Sequence, residues 1–156
     1  TMQRKVAHIM PAPTQTIDAI VFDAYGTLFD VHSVATLAED LAPGHGADLA
    51  RIWRTKQLEY TWLQSLMSRA GRRRDDFSGV TAQALDYAVA ALVLPLTATQ
   101  RRQLCDAYLT LAAFPDAVGA LRALAPRPRW ILSNGTLAML EPVIAAAISQ
   151  PAFAEK

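Results

Sequence analysis

Asp23 is the residue of this chain best placed to do chemistry. Four apolar residues, Ala19, Ile20, Val21 and Phe22, lead straight into it, and Gly26 and Thr27 follow within four positions. An apolar run that short reads as a strand buried on both faces. Asp23 then stands at the strand's carboxyl end, the edge at which open parallel sheets bind their ligands. A carboxylate held there, beside a glycine that lets backbone approach closely, suits a nucleophile. An aspartate in this place also serves to end a strand and cap a turn, and the residue alone leaves both readings open. A second polar group, Ser133, Asn134 and Gly135, follows the apolar Trp130, Ile131 and Leu132. Such a turn is common by itself. At the end of a second strand parallel to the first, it would share an edge with Asp23.

What lies between must bring the two together. Pro43, Gly44 and Gly46 break the chain after the first strand. Leu49, Ile52, Trp53, Tyr60, Leu63, Leu66 and Met67 then recur at steps of three and four, which predicts a long helix. Arg72, Arg73, Arg74, Asp75 and Asp76 read as a solvated loop. Residues 81–94 read as a second helix ended by Pro95. Thr97 and Gln100 have the spacing of a capping box at the start of a third, which carries Leu104, Tyr108 and Leu111. Pro115 and Asp116 open a fourth through Val118, Leu121 and Leu124, and Pro126 and Pro128 end it. The order strand, helices, strand predicts two parallel strands in one α/β sheet. Repeats and low-complexity tracts are absent.

The string from Asp23 to Ser33, with Tyr25, Gly26, Thr27, Leu28, Phe29, Asp30, Val31 and His32, resembles the first motif of the haloacid dehalogenase (HAD) superfamily. It is most similar to the L-2-haloacid dehalogenase branch. Ser133, Asn134 and Gly135 resemble the second motif, and residues 53–63, from Trp53 to Leu63, resemble a cap-helix segment of that branch. The resemblance implies a HAD-like Rossmannoid parallel sheet carrying an inserted helical cap. Residues 17–33 and 115–156 would form the core, 34–114 the cap, and 1–16 a leader. It covers about residues 17–147. Members of the family continue for dozens of residues, with a lysine and a later polar cluster, so the expected core is incomplete and lacks its C-terminal strands. A chain ended in this way is expected to be a poor catalyst.

The implied chemistry is hydrolytic dehalogenation of short L-2-haloalkanoic acids, with inversion, through an ester on Asp23. The resemblance gives Thr27 the task of holding the Asp23 carboxylate. It gives Arg54, with Asn134, the departing halide. Ser133 and the backbone of Ala24 and Tyr25 would hold the substrate carboxylate, and Leu58 would wall the halogen. Phosphatases of the superfamily carry an aspartate where Tyr25 stands, and a phenol cannot replace a carboxylate as ligand to a hard cation. Tyr25 therefore argues against a Mg²⁺ phosphatase, and no metal or cofactor is expected. A catalytically impaired remnant and another HAD hydrolase such as a phosphatase are the alternative readings. A homodimer is implied by family resemblance.

Composition narrows the classes. The chain has 156 residues, of which 52% are hydrophobic, enough for one compact domain with a real core. Fifteen basic residues face fourteen acidic ones, which offers no electrostatic reason to expect nucleic acid as a partner. No apolar run approaches a membrane span, and the first sixteen residues hold no sustained apolar segment of a secretory signal. Cys105 is the single cysteine, which excludes an intrachain disulfide and fits a reducing, cytoplasmic setting. His8, His32 and His45 lack zinc-ligand spacing, and the Gly-x-Ser-x-Gly elbow of serine hydrolases is missing.

Overall fold

The computed structural model describes residues 17–67 and 74–148. The leader and residues 149–156 lie outside that span, as do Arg72 and Arg73 of the basic loop. Strand β1 (Ile20–Phe22) pairs in parallel with β2 (Arg129–Ile131), with Val21 opposite Trp130. Between them run α1 (Ala35–Leu41), α2 (Gly46–Met67), α3 (Phe77–Ala91), α4 (Ala98–Asp106) and α5 (Pro115–Ala123); α6 (Leu137–Ile148) follows β2. The expected parallel pair and the helical insert are both present.

Local chemistry sets the helix ends. Asp76 caps α3 by accepting from the Gly79 N–H, so that helix starts at Phe77 and not at residue 81 as its apolar spacing implied. It also stops earlier than expected, at Ala91. Val93 takes a left-handed backbone (φ 54°), while the Leu94 N–H reaches the Val89 carbonyl and the Val93 N–H reaches that of Ala90. This is a Schellman closure made without its usual glycine. The capping box of α4 forms as its spacing implied, with Thr97 and Gln100 bonded reciprocally. Pro115 opens α5 at a position where its missing N–H costs nothing. The Glu39 carboxylate of α1 accepts from the Gly44 and Gly46 N–H groups and so caps α2 from a neighbouring helix. Sequence patterning does not mark α6, which keeps its helical course around Pro142.

Helices α1 and α3 flank α2, and α4 lies on α3. Trp53, Leu49, Leu85, Leu104, Tyr108 and Leu111 are fully buried there, with the Trp53 and Tyr108 rings 4.9 Å apart. The strands depart from expectation. Ile20 and Phe22 are half-buried, but Val21, which points to the other face, is 60% exposed, and Leu132 is exposed as well. The reason is architectural. The described sheet has two strands, and an apolar groove of about 450 Å³ lined by Phe22, Ile131, Leu121 and Ile144 separates them from α5 and α6 on one side. Two-sided burial therefore does not hold for β1. Among the described residues, no helix is long and apolar enough to cross a membrane.

Candidate active site

Asp23 leaves the end of β1 and is exposed. The chain then turns back sharply: the Ala24 carbonyl accepts from the N–H groups of Thr27, Leu28 and Phe29. Gly26 sits in this turn at φ 98°, a conformation that a side chain would strain. A Cβ there would also stand 3.1 Å from Nη2 of Arg54, so this glycine admits a cation to the backbone beside Asp23. Thr27 closes the turn by donating its hydroxyl to the Asp23 carboxylate at 3.2 Å.

Arg54 comes from the middle of α2. Its Nη2 donates to the Tyr25 carbonyl at 2.9 Å and its Nη1 to Oε1 of Gln57 at 2.7 Å. Burial lowers its pKa below the ordinary guanidinium value; Tyr108 and the nearby Asp23 charge oppose that shift. At neutral pH it remains a cation. From the end of β2, Ser133 and Asn134 arrive at the same edge as Asp23. The Ser133 hydroxyl accepts from the Gly135 N–H at 3.1 Å. A Cβ on Gly135 would meet the Tyr25 ring at 2.6 Å, so this turn can lie against Tyr25 only as glycine.

These groups share one small cavity of about 80 Å³. Its walls are Asp23, Tyr25, Arg54, Leu58, Thr61, Trp62, Phe77, Ser133 and Asn134. A carboxylate, a cation and a polar turn thus face a space with an aromatic and aliphatic wall. Of the residues singled out from sequence, six line it directly. Thr27 acts one step back, on Asp23. Ala24 is fully buried and its carbonyl is spent on the turn. Three lining residues were not foreseen. Thr61 and Trp62 stand three and four positions after Leu58, so helical periodicity could have found them. Phe77 could not be found this way, because a loop separates it from every motif.

The Tyr25 side chain turns into the core. Its ring lies among Phe29, Phe77 and Tyr108, its hydroxyl is buried without a hydrogen-bond partner, and burial pushes its pKa up to about 12. None of the larger clefts among the described residues brings Asp23, Arg54 and Ser133 together. The apolar groove beneath the strands holds no acidic residue, and a polar cleft of about 330 Å³ lined by Ser65, Arg74, Asp75 and Asp76 borders the site through Thr61, Phe77 and Asn134.

Several known proteins resemble this chain. The model of a hydrolase family, the haloacid dehalogenase-like hydrolases, matches residues 17–155. An (S)-2-haloacid dehalogenase of Xanthobacter autotrophicus is 47% identical over 131 residues, covering 84% of this chain and 50% of that protein. The (S)-2-haloacid dehalogenase H-109 of Pseudomonas putida is 48% identical over 132 residues, covering 83% of this chain and 57% of that one. The solved structure of the Xanthobacter autotrophicus L-2-haloacid dehalogenase with chloropropionic acid covalently bound superposes with a TM-score of 0.78 at 44% identity, covering 88% of this chain and 55% of that one. The chain spans about half the length of the curated relatives it matches.

Proposed function

This chain belongs to the haloacid dehalogenase-like hydrolase family, and on that premise we propose that its site serves the hydrolytic dehalogenation of short L-2-haloalkanoic acids to 2-hydroxy acids. One observation carries the reading: Asp23, Arg54 and Asn134 line a single small cavity with an apolar wall. The covalent adduct in the Xanthobacter structure supports it.

The steps follow from the groups present. One oxygen of Asp23, steadied by the Thr27 hydroxyl, attacks the α-carbon of the acid from the side opposite the halogen. The carbon–halogen bond breaks as the carbon–oxygen bond forms. The halide departs toward Arg54, a fixed cation in a half-buried setting where it stabilises charge far better than in water. Asn134 adds a donor, and Leu58 with Phe77 keeps water from the halogen. Ser133 and the backbone at Ala24 and Tyr25 hold the substrate carboxylate. Water then attacks the Asp23 carbonyl carbon, releasing a 2-hydroxy acid of inverted configuration and restoring the carboxylate. With Tyr25 turned into the aromatic core, the position after Ala24 offers no carboxylate to a hard cation, so the reaction runs without a metal and survives dialysis against EDTA. Among the described residues, those within 34–114 act as the cap over this edge, and residues 17–33 with 115–148 as the core; residues 149–156 of the expected core lie outside the described residues. The single cysteine fits work in the cytoplasm.

Chloride release from L-2-chloropropionate tests the activity, and ¹⁸O-water tests the route. Over repeated turnovers label enters Asp23, read by mass spectrometry of its peptide, and Asp23→Asn abolishes release because an amide is a poor nucleophile. Label confined to the product from the first turnover refutes the ester.

A further inference from the structure

Gln57 is fully buried on α2 (0% exposed), and it is one of two buried polar side chains among the described residues; the other is Thr81 on α3. The two are bonded. Gln57 Nε2 donates to Thr81 Oγ1 at 2.6 Å, and the Thr81 hydroxyl donates to the Phe77 carbonyl at 2.6 Å. Thr81 spends its only proton on Phe77, so toward Gln57 it can only accept. That forces the amide nitrogen of Gln57 to face Thr81 and turns Oε1 toward Arg54. Arg54, which has five donors and no acceptor, demands the same orientation, and its Nη1 meets Oε1 at 2.7 Å. Thr81 and Arg54 therefore fix the amide alike, and the buried Tyr108 hydroxyl is a third group within hydrogen-bonding reach of it. The Trp53 indole N–H, bonded to the Thr81 carbonyl at 2.8 Å, ties the same two helices together one turn away.

We infer that Gln57, oriented by Thr81, is the positioning residue that holds the Arg54 guanidinium at the cavity while adding no negative charge of its own. A carboxylate in this place would orient the guanidinium as well, but it would neutralise the charge that a departing anion needs. A neutral amide oxygen does the first without the second. From the opposite side the Tyr25 carbonyl holds Nη2, and the absence of a side chain on Gly26 leaves room for it. The guanidinium is thereby clamped between the cap helix and the loop that follows Asp23. Its plane is set by two hydrogen bonds made before any ligand arrives, the kind of preorganisation that electrostatic stabilisation requires.

The inference rests on the proposed role of Arg54 toward halide, so the experiment reads the clamp and the halide separately. The probe is bromide, and the signals are the side-chain ¹⁵N–¹H resonances of Arg54, assigned by their loss in Arg54→Lys. In the unaltered chain these resonances are expected to be resolved, with slow rotation about Cζ–Nη, and to move on bromide addition. In Thr81→Val, which keeps the shape and removes the hydroxyl, and in Gln57→Leu, slow rotation is lost and bromide affinity falls about ten-fold, the effect of losing one oriented interaction. In Gln57→Glu the guanidinium stays ordered, yet bromide affinity falls at least as far. A merely structural role for Gln57 would change thermal stability in all three variants without separating order from anion affinity. Thr81→Val and Gln57→Glu carry the test if Gln57→Leu does not fold. Arg54 resonances and bromide affinity that are unchanged in folded variants overturn the inference. Ordered Arg54 resonances that ignore bromide in the unaltered chain refute the halide role instead, while the clamp stands or falls on the rotation in the variants.

Discussion

At the scale of single residues, the site is a set of close approaches, each made possible by a particular side chain or by its lack. Gly26 lets Arg54 reach the backbone, and Gly135 lets the second polar turn lie on Tyr25. Arg54 is the residue on which the proposed chemistry turns most sharply. Lysine in its place keeps the charge and loses the planar fork that bonds Tyr25 and Gln57 at once. We expect Arg54→Lys to lower kcat for L-2-chloropropionate about ten-fold or more, the effect of one to a few kcal/mol in the transition state. KM should change less, because the site proposed for the substrate carboxylate is Ser133 and the backbone at Ala24 and Tyr25. Steady-state chloride release measures both constants. An unchanged kcat in an equally stable variant would remove Arg54 from the chemistry.

At the scale of elements, helix ends hold the strain and the pH dependence. Val93 is a β-branched residue in a left-handed conformation, and it is 86% exposed, so its side chain gains little from packing. The penalty for that conformation is about 1–2 kcal/mol in an L-residue. Part of it returns as unfolded-state entropy when glycine is introduced. Val93→Gly should therefore raise stability by up to about 1 kcal/mol, read as a higher urea midpoint at an unchanged slope. A lower midpoint would mean that the Val93 side chain is held by packing. Glu39 behaves differently. The Gly44 and Gly46 N–H groups, aided by His45, hold its pKa below the ordinary 4.5. Its folded-state pKa is depressed, so its contribution is complete above 4.5 and disappears as pH falls through the folded value. Glu39→Gln should thus be less stable than the unaltered chain at neutral pH. The two unfolding curves should converge in acid, where Glu39 is itself protonated. A gap that persists at low pH would assign the difference to something other than charge.

At the scale of the whole molecule, two apolar surfaces stand out among the described residues. One is the outer face of the strands, with Val21, Trp130 and Leu132. The other is the last turns of α2, where Trp62, Leu63, Leu66 and Met67 lie open, Leu66 by 82%. Surfaces of this kind mark association. The α2 patch is the better candidate for the proposed homodimer, because a helix face can bury itself against its own copy without exposing backbone hydrogen-bonding groups. Light scattering coupled to size exclusion should report a dimer that Leu63→Glu with Leu66→Glu converts to monomer. If Val21→Lys with Leu132→Lys has that effect instead, the outer face of the sheet is the interface.

Sequence alone determined the parts that depend on neighbours along the chain. The apolar run into Asp23, the periodicity of α2, the Thr97 capping box and the polar turn at Ser133 are local patterns, and local patterns need no tertiary contact to be read. Motif resemblance carried further, to the family and to the residues around the cavity, six of which line it together. Tertiary structure decided the rest. Phe77 reaches the cavity only because α3 folds back on α2. Burial of β1 depended on how many strands and helices surround it, which its own residues do not encode; Val21 therefore faces solvent despite an apolar run. Gln57 reads in sequence as one more polar residue in a helix. Only the packing of α2 on α3 takes it out of water and gives it Thr81 to be turned by, and that contact aims its oxygen at Arg54.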